Sequence, residues 1–228
     1  MPAPTAVELL WGTQQRARRG PKPALSLERI VAEAIELADA EGLANLSMQR
    51  LAERLGFTKM SLYRYVPGKA ELTALMLDTA LGPPPPAADG WRAGLQLWAE
   101  TIFARYSAHS WTIDLTTGQR PIGPNELGWM EAALTALGGT GLTGAERLDT
   151  IVLLNGHVRS LVEQLAPPGS SADYTAQLAE TMAAVGDRFP AVTAAFAEEA
   201  ATAESGNALQ FGIDRILDGL AALIAERS

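Results

Sequence analysis

The sequence predicts an all-α fold in two parts, a three-helix N-terminal part followed by a C-terminal bundle of helices. Apolar residues recur at helical spacing from Leu27 nearly to the end of the chain, and no segment sustains a period-two alternation. Joints rich in glycine and proline at 118–124, 138–144 and 167–171 cut the C-terminal part into helix-length pieces, and no fixed-period repeat appears. The charge is divided as well. Of the 228 residues, 1–75 carry ten Lys or Arg against eight Asp or Glu, while 76–228 carry eight against eighteen, so a net −8 resolves into +2 and −10. That asymmetry gives the two parts different partners.

Residues 1–23 read as a basic flexible arm, with Arg16, Arg18, Arg19 and Lys22 flanked by glycine and proline. Ser26 caps the first helix, which carries Leu27, Ile30, Val31, Ala34, Ile35, Leu37 and Ala38 until Gly42 stops it. Ser47 caps a second, short helix that turns Leu51 and Leu55 inward and ends at Gly56. Thr58 caps a third over Lys59 to Val66, closed by Pro67 and Gly68, and a fourth runs from Lys69 to about Leu81, where the run Pro83 to Pro86 breaks the pattern. The domains follow: the arm, a helix-turn-helix domain over 24–72 with helix 69–81 as its link, and a helical domain over 83–228. Helices are expected there over Trp91–Ser107, Asn125–Leu137, Gly144–Leu165, about Tyr174–Gly186, and Asn207–Glu226.

Composition excludes several functions. With 47% hydrophobic and 19% charged residues the chain is globular. The absence of cysteine removes disulfides, thiolate zinc sites and thiol catalysis, and His109 and His157 are too few and too far apart for the usual metal-hydrolase spacings. No metal or catalytic residue is assigned. No run approaches the roughly 18 to 20 apolar residues of a membrane span, and no apolar segment precedes the arginines of the arm, so a cytoplasmic protein without a membrane partner is expected. Gly139-Thr-Gly141-Leu-Thr-Gly144 matches a dinucleotide fingerprint in letters only, because an amphipathic helix and not a strand precedes it; it reads as an inter-helix loop. Glu198 and Glu199 read as a solvated face.

The second and third helices, joined through Gly56 and Phe57, have the form of a helix-turn-helix. With Leu62 and Val66 inward, a wheel of about 100° per residue turns Met60 and Arg64 outward, flanked by Lys59 and Tyr63 on one side and Ser61 and Tyr65 on the other. Donors for base edges and phosphates beside a small apolar contact are what a major-groove reader needs. The arm lies just before the first helix, where it enters the adjacent minor groove or follows the backbone, or is a solvated tail that adds only non-specific attraction.

The segment Ala24–Leu81 resembles the DNA-binding domain of the TetR family of bacterial transcriptional regulators. The resemblance rests on the first helix ending in Ala-Glu-Gly-Leu, on Ser47-Met-Gln-Arg-Leu-Ala-Glu-Arg-Leu-Gly56, on Ser61-Leu-Tyr-Arg-Tyr-Val66, and on Gly68-Lys-Ala-Glu-Leu72. It implies that Lys59, Ser61, Tyr63 and Arg64 occupy recognition positions and that Ser47, Gln49, Tyr65 and Lys69 meet phosphates or flanking bases. It also implies a repressor that binds a double-stranded DNA operator as a homodimer, without a resident cofactor, and is released by a small-molecule inducer. The alternatives are an all-α enzyme or a helical module that binds a protein or a small molecule without an operator.

Four of the five tryptophans fall in the C-terminal part. Trp98, Phe103, Trp129, Asn155 and Arg159 are candidates for an effector pocket that would favour a flat, largely apolar ligand with one acceptor or anionic group. Helix 144–165 has a broad apolar stripe with Asn155 and Arg159 inside it, and these must find a ligand, an acidic residue or the partner subunit. His157 falls on the polar side. Helices 144–165 and 207–226 are the pair expected to form the dimer bundle.

Overall fold

A computed structural model describes residues 4–12, 25–118, 120–165, 170–201 and 207–227. Among them there are twelve α-helices and no strand: α1 Ala6–Leu10, α2 Leu27–Glu41, α3 Met48–Leu55, α4 Lys59–Tyr63, α5 Lys69–Leu81, α6 Trp91–Ala108, α7 Thr112–Leu115, α8 Pro124–Ala136, α9 Gly144–Leu165, α10 Ser170–Val185, α11 Pro190–Ala201 and α12 Ala208–Ala225. The expected all-α class stands. The helices α1, α7 and α11 are additions to the sequence reading, and α4 stops three residues before Val66.

The caps that the sequence announces are made. Ser26, Ser47 and Thr58 accept the backbone N–H of Arg29, Arg50 and Ser61, each at 3.2 Å. Gly56 closes α3 in the left-handed region at φ +75°, the conformation that the turn into α4 needs. Although α4 is short, Val66 still donates to the Leu62 carbonyl at 3.0 Å, so the wheel drawn through residue 66 keeps its phase.

Packing divides the described residues into two compact units, 1–138 and 139–228. The sequence reading placed its boundary at the proline run instead. In the first unit Ile30, Leu37, Leu51, Leu62, Val66, Leu72 and Met76 form one core that also takes in Leu9 and Leu10 of α1 and Trp111. The helices α6–α8 stay with this unit because α5 is pinned to α8. The Asp78 carboxylate, near the end of α5, accepts the backbone N–H of Asn125 at 2.9 Å and of Glu126 at 3.1 Å, capping α8 from outside its own chain segment. The Asn125 side chain returns two bonds to Asp78, and Trp129 donates from Nε1 to the Gly82 carbonyl at 2.9 Å.

Burial holds the Asp78 carboxyl above the usual aspartate range, against the pull of the Glu126 and Asn125 donors. A raised value in the folded chain means that the stability linked to this group is complete below the unfolded value and declines as pH rises through the folded one. Asp78→Ala leaves two part-buried backbone donors without an acceptor, and urea unfolding should show a loss of about 2–4 kcal/mol.

In the second unit α9 and α12 pack together through Leu154, Val158 and Val162 against Ile213, Leu217 and Leu220. Thr143 and Glu146 form a reciprocal cap at the start of α9, and the loop 139–144 joins α8 to α9, as the inter-helix reading required. His157, which the sequence reads as a solvated or interface histidine, is half-buried. It packs on α12, with Nε2 3.2 Å from the Leu209 carbonyl, in a notch that exists because Gly212 has no side chain; a Cβ there would lie 2.2 Å from the ring. Among the described residues, no helix is long and apolar enough to cross a membrane.

Candidate nucleic-acid interface and effector residues

The helix-turn-helix is held by its buried side, and that decides what remains outside. Leu51, Leu62 and Val66 are fully buried, whereas Lys59, Met60 and Arg64 are exposed, Met60 by 72%. The predicted outward face is therefore present. Its flanks are more engaged than the wheel suggests. Tyr63 and Tyr65 are half-buried and pack against the core, and the Lys59 ammonium lies 5.6 Å from the centre of the Tyr63 ring. The Ser61 hydroxyl sits 2.9 Å from that of Thr58, and the Ser47 hydroxyl is committed to its cap. Gln49 donates to Glu53 at 2.6 Å, so its amide faces a carboxylate one turn along α3. Lys69 is exposed at the start of α5, with Nζ 3.5 Å from the Leu43 carbonyl. Arg16, Arg18, Arg19 and Lys22 lie outside the described residues.

Two arginines that sequence reasoning passed over turn out to be ion-paired within the domain: Arg50 to Glu41, and Arg54 to Glu33 at 2.6 Å. A second missed feature joins α2 to the turn after α6. Asp39 accepts the Trp111 indole N–H at 2.6 Å and lies 2.9 Å from Nδ1 of His109. With Asp78 this makes two polar joints that tie α2 and α5 to α6–α8, across 70 and 72 residues of sequence at Asp39 and 47 at Asp78. No local pattern announces either.

The effector candidates belong to both units. In the first unit Trp98 and Trp129 meet edge to face, 5.7 Å between ring centres at 75°, and Trp98 donates from Nε1 to the Trp129 carbonyl at 2.9 Å. Both indole donors are thus spent within the fold, and both rings are buried. Phe103, on α6, is half-buried. Asn155 and Arg159 belong to the second unit. Both are half-buried, and Arg159 is 3.7 Å from Glu163 with its Nε buried and unbonded.

Comparison with known proteins covers most of the chain. Residues 30–76 match the family described as bacterial regulatory proteins, tetR family, and residues 83–224 match the tetracyclin repressor-like C-terminal domain. The HTH-type transcriptional repressor DrrR1 of Streptomyces coeruleorubidus is 40% identical over 236 residues, covering 97% of this chain and 86% of that protein. An HTH-type transcriptional regulator of Saccharopolyspora erythraea is 30% identical over 199 residues, 85% of this chain and 83% of its own. Among solved structures, apo ActR of Streptomyces coelicolor has a TM-score of 0.75 at 28% identity, covering 90% of this chain and 99% of that one. ActR in complex with actinorhodin gives 0.73 at 28% identity over 88% and 98%.

Proposed function

The chain belongs to the TetR family of bacterial regulatory proteins, and from that premise we propose that it is a homodimeric transcriptional repressor released from its operator by a small molecule. The observation that carries the DNA half is the face of α4, where Lys59, Met60 and Arg64 stand exposed over fully buried Leu62 and Val66. Arg64 reads a base edge with its fork, Met60 supplies apolar contact, and Lys59 and Lys69 meet phosphate. Ser47, Gln49, Ser61, Tyr63 and Tyr65 flank the groove, and Arg16, Arg18, Arg19 and Lys22 add counterion release. The dimer forms through α9 and α12, and its two α4 helices meet half-sites about one helical turn, roughly 34–36 Å, apart.

ActR, solved with actinorhodin and with (S)-DNPA, supports a small-molecule effector here. The α6 and α8 aromatics Trp98, Phe103 and Trp129 are the apolar residues assigned to it. Asn155 and Arg159 are assigned to the packing of the second unit, where Arg159 faces Glu163. Effector binding acts on α5 through α8, which Asp78 and Gly82 hold, and by linkage the operator-bound protein binds effector less well. The protein is a regulator and not an enzyme, works in the cytoplasm, and needs no resident cofactor.

The test uses a duplex selected from a random pool by the unaltered protein. Arg64→Ala should weaken that duplex by about 1–3 kcal/mol and narrow the gap to unrelated DNA. Lys69→Ala should weaken all duplexes alike and reduce the salt slope by about one. Equal losses on selected and unrelated DNA for Arg64→Ala would remove Arg64 from base reading. Absence of salt-dependent binding to any duplex would overturn the function.

A further inference from the structure

The helix α4 belongs to a stiff block. Ile30, Ala34 and Leu37 of α2, Leu51 of α3 and Leu62 of α4 share one core, and ion pairs from Arg50 to Glu41 and from Arg54 to Glu33 tie α3 to α2 at the surface. The direction in which α4 faces is the direction of the whole block, and it depends on what holds the block to α6–α8.

Several ties converge on the start of α8. The Asp78 carboxylate takes the N–H groups of Asn125 and Glu126, the Gly82 carbonyl takes the Trp129 indole, and the Trp11 indole donates to the Ile122 carbonyl at 3.2 Å. All of them end on residues 122–129, so they keep the block from leaving α8 and at the same time form a hinge about which it can turn. Another tie lies elsewhere, at the end of α6. Asp39 of α2 accepts the Trp111 indole N–H at 2.6 Å, and its two oxygens lie 2.9 and 3.1 Å from Nδ1 of His109. The turn that carries both rings is fixed in its own right: the buried Thr112 donates to the His109 carbonyl from its hydroxyl at 2.7 Å and from its backbone N–H at 2.9 Å. The Trp111 ring is buried in the core of the block. Apolar packing of that ring holds the two parts together but is non-directional, whereas hydrogen bonds to a carboxylate fix an angle.

We propose that Asp39 is a positioning residue for operator spacing: through His109 and Trp111 it sets the angle of the helix-turn-helix on α6, and with it the separation of half-sites that the dimer accepts. The inference rests on the reading of a dimer that binds two half-sites. Each base pair added between half-sites displaces them by about 3.4 Å and turns them by about 34–36°. With the Asp39 tie in place the block cannot follow such a change. Without it, the block turns about residues 122–129 and meets the displaced half-site.

The experiment measures binding of the full-length protein to the selected duplex, to duplexes with one base pair added or removed between its half-sites, and to a duplex with a single half-site. The unaltered protein should lose about thirtyfold on either change of spacing. Asp39→Ala should bind the selected spacing about tenfold more weakly, lose no more than about threefold when the spacing changes, and bind the single half-site normally. Asp39 is exposed and alanine suits a helix, so the block stays folded, and normal half-site binding verifies this. Trp111→Phe, which keeps a buried ring and removes the N–H, should broaden the spacing preference in the same way, and Asp39→Asn, which keeps an acceptor for Trp111, should restore most of it. A spacing preference as sharp in Asp39→Ala and Trp111→Phe as in the unaltered protein would overturn the role of Asp39. So would an equal loss on the single half-site and the selected duplex, which would place the damage inside the block. If the unaltered protein binds every spacing alike, the reading of two half-sites fails and the inference with it.

Discussion

Gly123→Ala should be among the most damaging single substitutions in the first unit, lowering its stability by about 3 kcal/mol or more and the melting temperature by roughly 6–12 °C. The backbone at Gly123 is extended, so no torsional strain is involved. The effect is steric. A Cβ at this position would lie 2.1 Å from Oδ1 and 2.8 Å from Cβ of Asp78, and Asp78 is buried and bonded to Asn125 and Glu126. Neither neighbour can retreat without surrendering the cap of α8. Gly128→Ala is the control within α8, where the nearest atom, Cδ of Pro84, is 3.6 Å away. Differential scanning calorimetry of the two variants should separate them clearly, and equal melting temperatures would show that Asp78 has room to move.

Phe211→Glu combined with Val152→Glu should yield folded monomers. These side chains are 66% and 69% exposed, one on α12 and the other on α9, so a carboxylate at either is solvated in a monomer and buried without a partner in an α9/α12 bundle. Sedimentation should show the dimer lost with helicity intact, and affinity for the selected duplex should fall by at least about a hundredfold as two-site attachment disappears. A dimer that survives both changes would move the interface elsewhere. Leu220 would be a poor choice for this test: it is 8% exposed and faces the core, so Leu220→Glu would unfold the unit whichever surface dimerises.

Elements whose signals are local were legible in the sequence. The ends of α2 and α3 follow from Ser26, Ser47, Gly42 and Gly56, because caps and glycine turns act within four residues, and the end of α5 follows from the prolines after it. The outward face of α4 followed from the spacing of Leu62 and Val66. The helix α1 was readable too, since Thr5-x-x-Glu8 before Leu9-Leu10 is a capping box followed by apolar residues, but five residues give little periodicity. In α11 a run of alanines leaves almost no contrast between faces. Long-range partners were out of reach: the Glu33–Arg54 pair spans 21 residues, and Asp39 meets Trp111 across 72. The surroundings of His157 were not legible, because a wheel shows where a side chain points and the notch that receives it is the missing side chain of Gly212 on another helix.

The fastening of Asp78 to Asn125 and Glu126 turns α5 into a lever with its fulcrum near one end. Lys69 lies nine residues away, about 14 Å at 1.5 Å per residue. A tilt of about 10° around Asp78 therefore carries Lys69 through roughly 2 Å, comparable with the difference between a hydrogen bond to phosphate and none. A tilt of α5 about Asp78 would therefore move Lys69 far more than Asp78 itself.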